Sequence, residues 1–243
     1  MRLDWNPTNY QFAWSVVNEY RDWLWLGLQL TLKVAAVAMA FAMVIGLFIA
    51  LMRMSPIWPV RTFASLYISV FRAIPLLVFI LWAYYGVTLV TGLNLDAFWS
   101  GVICLALLYS AFLAEIYRSG LQAIDKGQRE AALSTGLSRT RTFGKVIWPQ
   151  AWRIIIPPIA NNFVGIVKDS SLVGIIGLNE LMRQSQIAVS LTFRPFELYT
   201  AAMVIYIIAT LVIARIASLL EQRASRSLRI VQARPVAPWR SIF

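Results

Sequence analysis

The stretch LQLTLKVAAVAMAFAMVIGLFIALM, Leu28 to Met52, carries one charge, Lys33, in 25 residues. A helix rises 1.5 Å per residue, so about 20 predominantly apolar residues cross the hydrocarbon of a bilayer. Four later stretches meet the same requirement: Phe63 to Val90, Phe98 to Tyr117, Ile154 to Leu178 and Leu198 to Leu220. The composition agrees, with 59% hydrophobic residues, a mean hydropathy of +0.67 and 14% charged residues, against about 25% in a soluble domain. The expected fold is an all-α integral membrane protein of five transmembrane helices. No internal repeat or low-complexity tract interrupts it, and the longest piece outside the spans runs from Arg118 to Arg153.

Charge placement orients these spans. The chain has 22 Lys and Arg against 11 Asp and Glu, a net charge of +11. A basic surplus of this size fits nucleic acid or the cytoplasmic face of a membrane protein, and position decides between them. One alternating set of connections holds Arg53, Arg61, Arg118, Lys126, Arg129, Arg139, Arg141, Lys145 and Arg153. With Arg215, Arg223, Arg226, Arg229, Arg234 and Arg240 toward the tail it reaches fifteen. The opposite set holds four: Arg2, Arg21, Arg183 and Arg194. The N-terminus is therefore expected outside and the C-terminus in the cytoplasm, a reading that accounts for the charge without nucleic acid. Three segments follow: an extracytoplasmic N-terminal piece 1–27, a membrane domain 28–220 with its loop 118–153, and a basic cytoplasmic tail 221–243.

The first span is too long for the 7 to 15 apolar residues of a signal peptide, and Asp4, Glu19 and Asp22 precede it, so it is expected to be retained. Trp5, Trp14, Trp23 and Trp25 before it resemble an interfacial belt. With no His and one Cys, the chain lacks the means for His-based acid/base chemistry, a multi-Cys zinc site or an internal disulfide. Cys104 reads as a small core residue. No catalytic or metal-binding residue is expected.

The loop between the third and fourth spans is patterned as a compact element. Asp125 is placed to cap a helix, Gln128 completes a capping-box spacing, Ala131, Ala132 and Leu133 are strong helix formers, and Gly136 ends the run. Ser138 is placed to cap a second helix reaching toward Pro149. Two alanines beside Glu130 and Arg129 let another backbone approach closely while charge fixes its orientation. A solvated amphipathic connector has the same composition.

Glu130-Ala131-Ala132, then Gly136, then Val146, Ile147, Trp148 and Pro149 resemble the signature loop of ABC importer permeases of the type I architecture. In that family Ile and Leu usually stand at the positions of Val146 and Trp148. Phe71-Arg72-Ala73-Ile74-Pro75, Ala114 to Arg118, Gly127 to Ala132 and Lys168 to Leu172 are similar to runs in the polar amino acid subfamily, which includes glutamate/aspartate and histidine-type permeases. The resemblance spans Trp25 to Arg223. It implies a coupling helix between spans 3 and 4, with Arg129, Glu130, Ala131, Ala132 and Gly136 gripped by an ATPase. It also implies two ATPase subunits, a second permease, identical or sister, and an extracytoplasmic amino-acid-binding protein, in a bacterial inner membrane. The chain has no phosphate loop, so ATP and magnesium are expected on the ATPase partner and no cofactor in this chain.

Charge inside a span costs about 2.5 to 3.5 kcal/mol at the helix centre and points to function or pairing. Lys33, about five residues into its span, is expected to snorkel outward. Glu115 and Arg118, three residues apart, are placed to pair or to form a gate. Arg72 needs a carboxylate, carbonyls or a substrate anion, and Pro75 loosens the backbone after it. Lys168-Asp169-Ser170-Ser171 falls near the middle of the fourth span, between Gly165 and Gly174. Adjacent Lys and Asp answer the two charges of an amino acid, yet they project about 100° apart on a helix and equally serve other spans. The arginine and lysine favour acidic or neutral amino acids such as glutamate, aspartate or glutamine. A permease for a basic amino acid or an opine is the alternative, and a secondary transporter, which calls for repeats, a more distant one.

Overall fold

A computed structural model describes residues 10–232, with side chains as far as Leu219. The described residues form nine helices. Ser15–Glu19 (α1) is a short entry turn, and Arg21–Arg53 (α2) is the first span. Trp58–Ala73 (α3) and Leu76–Thr91 (α4) follow, then the spans Ala97–Gln122 (α5) and Arg139–Ile176 (α7), with Lys126–Ser134 (α6) between them. Leu181–Thr192 (α8) leads into Pro195–Gln232 (α9). Of the residues used above for orientation and the belt, Arg2, Asp4, Trp5, Arg234 and Arg240 lie outside the described residues.

Among the described residues four helices are long and apolar enough to cross a membrane, and the bent pair α3 and α4, counted as one broken span, makes a fifth. The expected second span from Phe63 to Val90 is replaced by two helices meeting at 103°. The cause is Pro75, whose ring drives Ile74 out of the helical region; Ile74 and Pro75 have ψ of 127° and 123°. Proline breaks the span rather than loosening it, and Arg72 is left in the last turn of α3. A second difference lies after the fourth span. Asn179 to Glu197, expected as a loop, holds α8, which sits so close to the start of α2 that a Cβ on Gly27 would fall 2.8 Å from the Leu181 backbone.

In lipid, apolar burial gives helices little reason to associate, and close van der Waals packing between small residues takes its place. Ala38, Ala42, Gly46 and Ala50 recur every fourth residue on one face of α2, all buried. That face lies on α5, where a Cβ at Gly46 would stand 2.9 Å from the Ser110 carbonyl. Cys104 is buried in the same core, as expected of a small core residue. Helix α2 begins at Arg21, seven residues before the apolar stretch, and places Lys33 in its fourth turn. The lysine remains exposed, with its ammonium over the Phe98 ring at 5.5 Å.

The molecule has two distinct ends. At one, Glu197 in the first turn of α9 accepts the Ala13 N–H at 2.9 Å and the Tyr10 hydroxyl, tying the chain before α1 to α9. At the other, Met54 after α2 lines one cavity with Leu121, Ile124, Asp125 and Lys126, so the α2–α3 turn and the start of α6 border the same space.

Candidate functional site

Two regions bring the sequence-predicted residues together. The first is the knob formed by α6 and the start of α7. The Asp125 carboxylate accepts the Gly127 N–H at 2.7 Å and so caps α6. The far end closes by two backbone bonds, Gly136 N–H to the Leu133 carbonyl at 3.0 Å and Leu137 N–H to the Ala132 carbonyl at 3.4 Å. This double closure needs a left-handed residue just past the helix, and Gly136 supplies it at φ +83°. Ser138 caps the following helix through the Arg141 N–H. That helix does not stop at Pro149. A π turn over Phe143–Ile147 carries it into the fourth span, and it continues through Pro157 and Pro158. The second helix of the knob is therefore continuous with the fourth span, and the two prolines are interior to that helix.

Arg129, Glu130 and Ala131 are exposed on the knob, whereas Ala132 is 8% exposed. One alanine thus offers a close approach to a partner and the other packs α6 inward. Gly136 is exposed at the turn.

The second region is a cavity of about 400 Å³ between α3, α5 and α7. Arg72 reaches it from the end of α3, and its guanidinium lies over the Phe112 ring at 5.2 Å. Asp169 reaches it from α7 and accepts the Tyr109 hydroxyl at 2.8 Å. Tyr109 is at the middle of α5, so the charged pair of walls sits near mid-membrane height. The approach of α7 there depends on Gly165, where a Cβ would meet the Tyr109 oxygen at 2.7 Å. Asn161 and Asn162 complete the polar lining. A cation and an anion facing one water-accessible space, flanked by carboxamides and a phenol, can hold a zwitterion by its two ends.

Other candidates fall elsewhere. Lys168 is exposed and does not line this cavity. Ser170 is fully buried and donates to the Val167 carbonyl of its own helix at 2.8 Å; Ser171 is half-buried and also outside the lining. Helix α7 tightens to a 3-10 helix from Ser170 to Ile176, which separates these hydroxyls from the face of Asp169. Glu115 and Arg118 pair at 2.6 Å, half-buried, and line a separate cavity. Tyr109, Asn161 and Asn162 were not anticipated. Asn161, Gly165 and Asp169 recur every fourth residue, a polar stripe on one face of an apolar helix that was open to reading; nothing in the sequence pointed to Tyr109.

Residues 42–226 match the family described as "Binding-protein-dependent transport system inner membrane component". The chain is 35% identical to a probable glutamine ABC transporter permease of Bacillus subtilis (strain 168), over 81% of this chain and 91% of that protein. It is 34% identical to an arginine transport system permease of the same organism, over 81% and 90% respectively. A crystal structure of an amino acid ABC transporter with histidines superposes with a TM-score of 0.83 at 41% identity, covering 88% of this chain and all of that one.

Proposed function

We propose that this chain, which belongs to the family of binding-protein-dependent transport system inner membrane components, is the permease of an ABC importer for polar amino acids. The observation that carries the proposal is the joint presence of the exposed Arg129–Ala131 face on the knob and, near mid-membrane, the cavity with Arg72 and Asp169 on its walls. Family membership implies a separate ATPase and a substrate-binding protein. Two ATPase subunits, which bind ATP and magnesium, engage Glu130 and its neighbours on this chain and on a second permease. Lys168 supports that second copy: an exposed ammonium beside mid-membrane Asp169 needs a covering other than lipid.

The bias of basic residues supports an outside N-terminus and a knob facing the cytoplasm of a bacterial cell. Closing of the ATPases pulls on α6, and the pull passes through the Gly136 turn to the second helix of the knob, which is continuous with the helix that carries Asp169. The permease alternates between outward and inward access, and carries out no hydrolysis itself. In the cavity Arg72 takes the substrate carboxylate, and Asp169 the amino group.

The lean toward acidic or neutral substrates weakens in this arrangement. It rested on Arg72 and Lys168 together, and the cavity is lined by Arg72 and Asp169 instead. Relatives named for glutamine and for arginine stand at nearly equal identity. Glutamine is the first candidate, and side-chain selection falls mainly to the binding protein.

The test is uptake by the reconstituted complex of permease, ATPase and binding protein. ATP-driven accumulation of labelled glutamine, aspartate or arginine is the expected result. Failure of the purified chain to retain any ATPase bearing a phosphate loop, or uptake of a sugar in place of amino acids, overturns the reading.

A further inference from the structure

A second cavity, of about 620 Å³, lies beside the first and nearer the knob. Its polar lining is Arg53 from the end of α2, Ser65, Ser69 and Arg72 from α3, and Glu115 and Arg118 from α5. Position along α5 gives its depth. Tyr109 and Leu108 line the interior cavity, Phe112 lines both, and Glu115 and Arg118 line only the second. At 1.5 Å per residue, Tyr109 to Arg118 descends about 13 Å toward the knob.

The charges in this cavity do not balance. Arg118 is neutralised by Glu115 at 2.6 Å and also donates to Gln122. Among the described residues, Arg53 and Arg72 have no carboxylate within ion-pair distance. Both stand in the last turn of a helix, where a guanidinium complements the partial negative charge of the helix end. That accounts for charge at each site separately. It leaves the N–H donors of half-buried Arg53 and exposed Arg72 without an acceptor from the described residues, beside two serine hydroxyls in a space large enough for a small organic anion.

Arg72 is the shared wall. Its guanidinium over Phe112 borders both cavities, so an anion held by Arg72 in the upper cavity meets Arg53 in the lower one without first returning to bare apolar surface. We propose that the knob-side cavity is a second carboxylate site, in which Arg53, Ser65 and Ser69 receive the α-carboxylate of the transported amino acid as it leaves Arg72. This rests on the amino-acid reading above and adds to it a station, a ligand group and an order of occupation. Anionic phospholipid headgroups offer the same kind of ligand, and the test separates them.

The experiment uses the permease–ATPase complex in lipid nanodiscs, without binding protein or ATP, and labelled glutamine in equilibrium dialysis. Asp169→Asn weakens the upper site and exposes the lower one. The expected result is residual binding that falls at least tenfold when Arg53→Gln is added and returns with Arg53→Lys. Glutamine α-amide, which lacks the carboxylate, is expected not to compete. Residual binding unchanged by Arg53→Gln, or equal competition by the α-amide in the Asp169→Asn complex, overturns the proposal. The α-amide arm needs no change at Arg53 and so remains decisive if Arg53→Gln does not assemble. Binding seen only when phosphatidylglycerol is replaced by phosphatidylcholine assigns the cavity to lipid headgroups and also overturns it. Wild-type complex that imports glutamine but shows no Arg53-dependent site removes this inference alone; wild-type complex that imports no amino acid removes the reading beneath it.

Discussion

Between Asp125 and Ser138 each cap is made to a residue two to five positions away, and the side chains that matter, Arg129, Glu130 and Ala131, point outward. The interior cavity is built the other way. Its charged walls come from α3 and α7, its phenol from α5, and Asp169 meets Tyr109 across 60 residues of sequence. The knob is a local structure that needs a partner to have any effect. The cavity is a long-range structure in which Tyr109 already answers Asp169 within the chain, while Arg72 lies over the Phe112 ring with no carboxylate partner among the described residues. Damage to the knob should therefore abolish coupling while leaving the fold and the binding of substrate, and damage to the cavity should do the reverse.

The sharpest break of that contrast is Glu130→Lys. Reversing a charge that fixes the orientation of an interface is expected to cost about 3 kcal/mol or more of association, a hundredfold or more in affinity. ATP-driven uptake should fall below about one-hundredth of wild type, and the ATPase should no longer co-purify, while the chain inserts normally. Retained ATPase with lost uptake would move Glu130 from docking to force transmission.

The same contrast explains what the sequence disclosed. Caps, Schellman closure and the exposed Arg129–Ala131 face of α6 depend on neighbours in the chain, so Asp125, Gly136 and Ser138 were readable from spacing. The apolar spans were readable for a similar reason, since bilayer thickness imposes one length on each. The break at Pro75 was half readable: the proline was visible, but whether a span bends or ends depends on how α3 and α4 pack afterwards. Helix α8 was hidden because its polar, mixed sequence resembles a loop until Gly27 lets it dock on α2. Side-chain direction was the main loss. Lys168 and Asp169 are adjacent, yet one is exposed and the other faces the cavity, and only the packing of α7 on α5 through Gly165 settles which.

Asp169→Asn tests the other half of the comparison. Removing the carboxylate takes away the partner of the substrate ammonium and weakens the acceptor of the Tyr109 hydroxyl. A loss of about 2 kcal/mol, near thirtyfold in glutamine affinity by dialysis, is expected. ATPase association should be unchanged. Tyr109→Phe keeps the carboxylate but removes one charge-assisted hydrogen bond, worth about 1.5 kcal/mol, so its effect should be about tenfold. If Tyr109→Phe exceeds Asp169→Asn, the phenol contacts the substrate itself and the assignment of Asp169 to the ammonium fails.

The smallest effect is expected at Gly136, and it locates the boundary of the docking face. A Cβ there meets nothing within 4 Å, so Gly136→Ala adds no clash and its cost is purely that of a left-handed backbone at φ +83°. That conformation costs an L-residue about 1 to 2 kcal/mol. The end of α6 should then open about tenfold more often, seen as faster amide exchange at Leu137, whose N–H closes on the Ala132 carbonyl. Uptake should fall only about twofold, because the closed knob still predominates and Glu130 sits a turn and a half away. Gly136→Asn should lie between Gly and Ala, since Asn tolerates the left-handed region better. If Gly136→Ala instead suppresses uptake as deeply as Glu130→Lys while exchange at Leu137 stays slow, the added methyl is colliding with the ATPase. The gripped surface then extends past the helix to the turn itself.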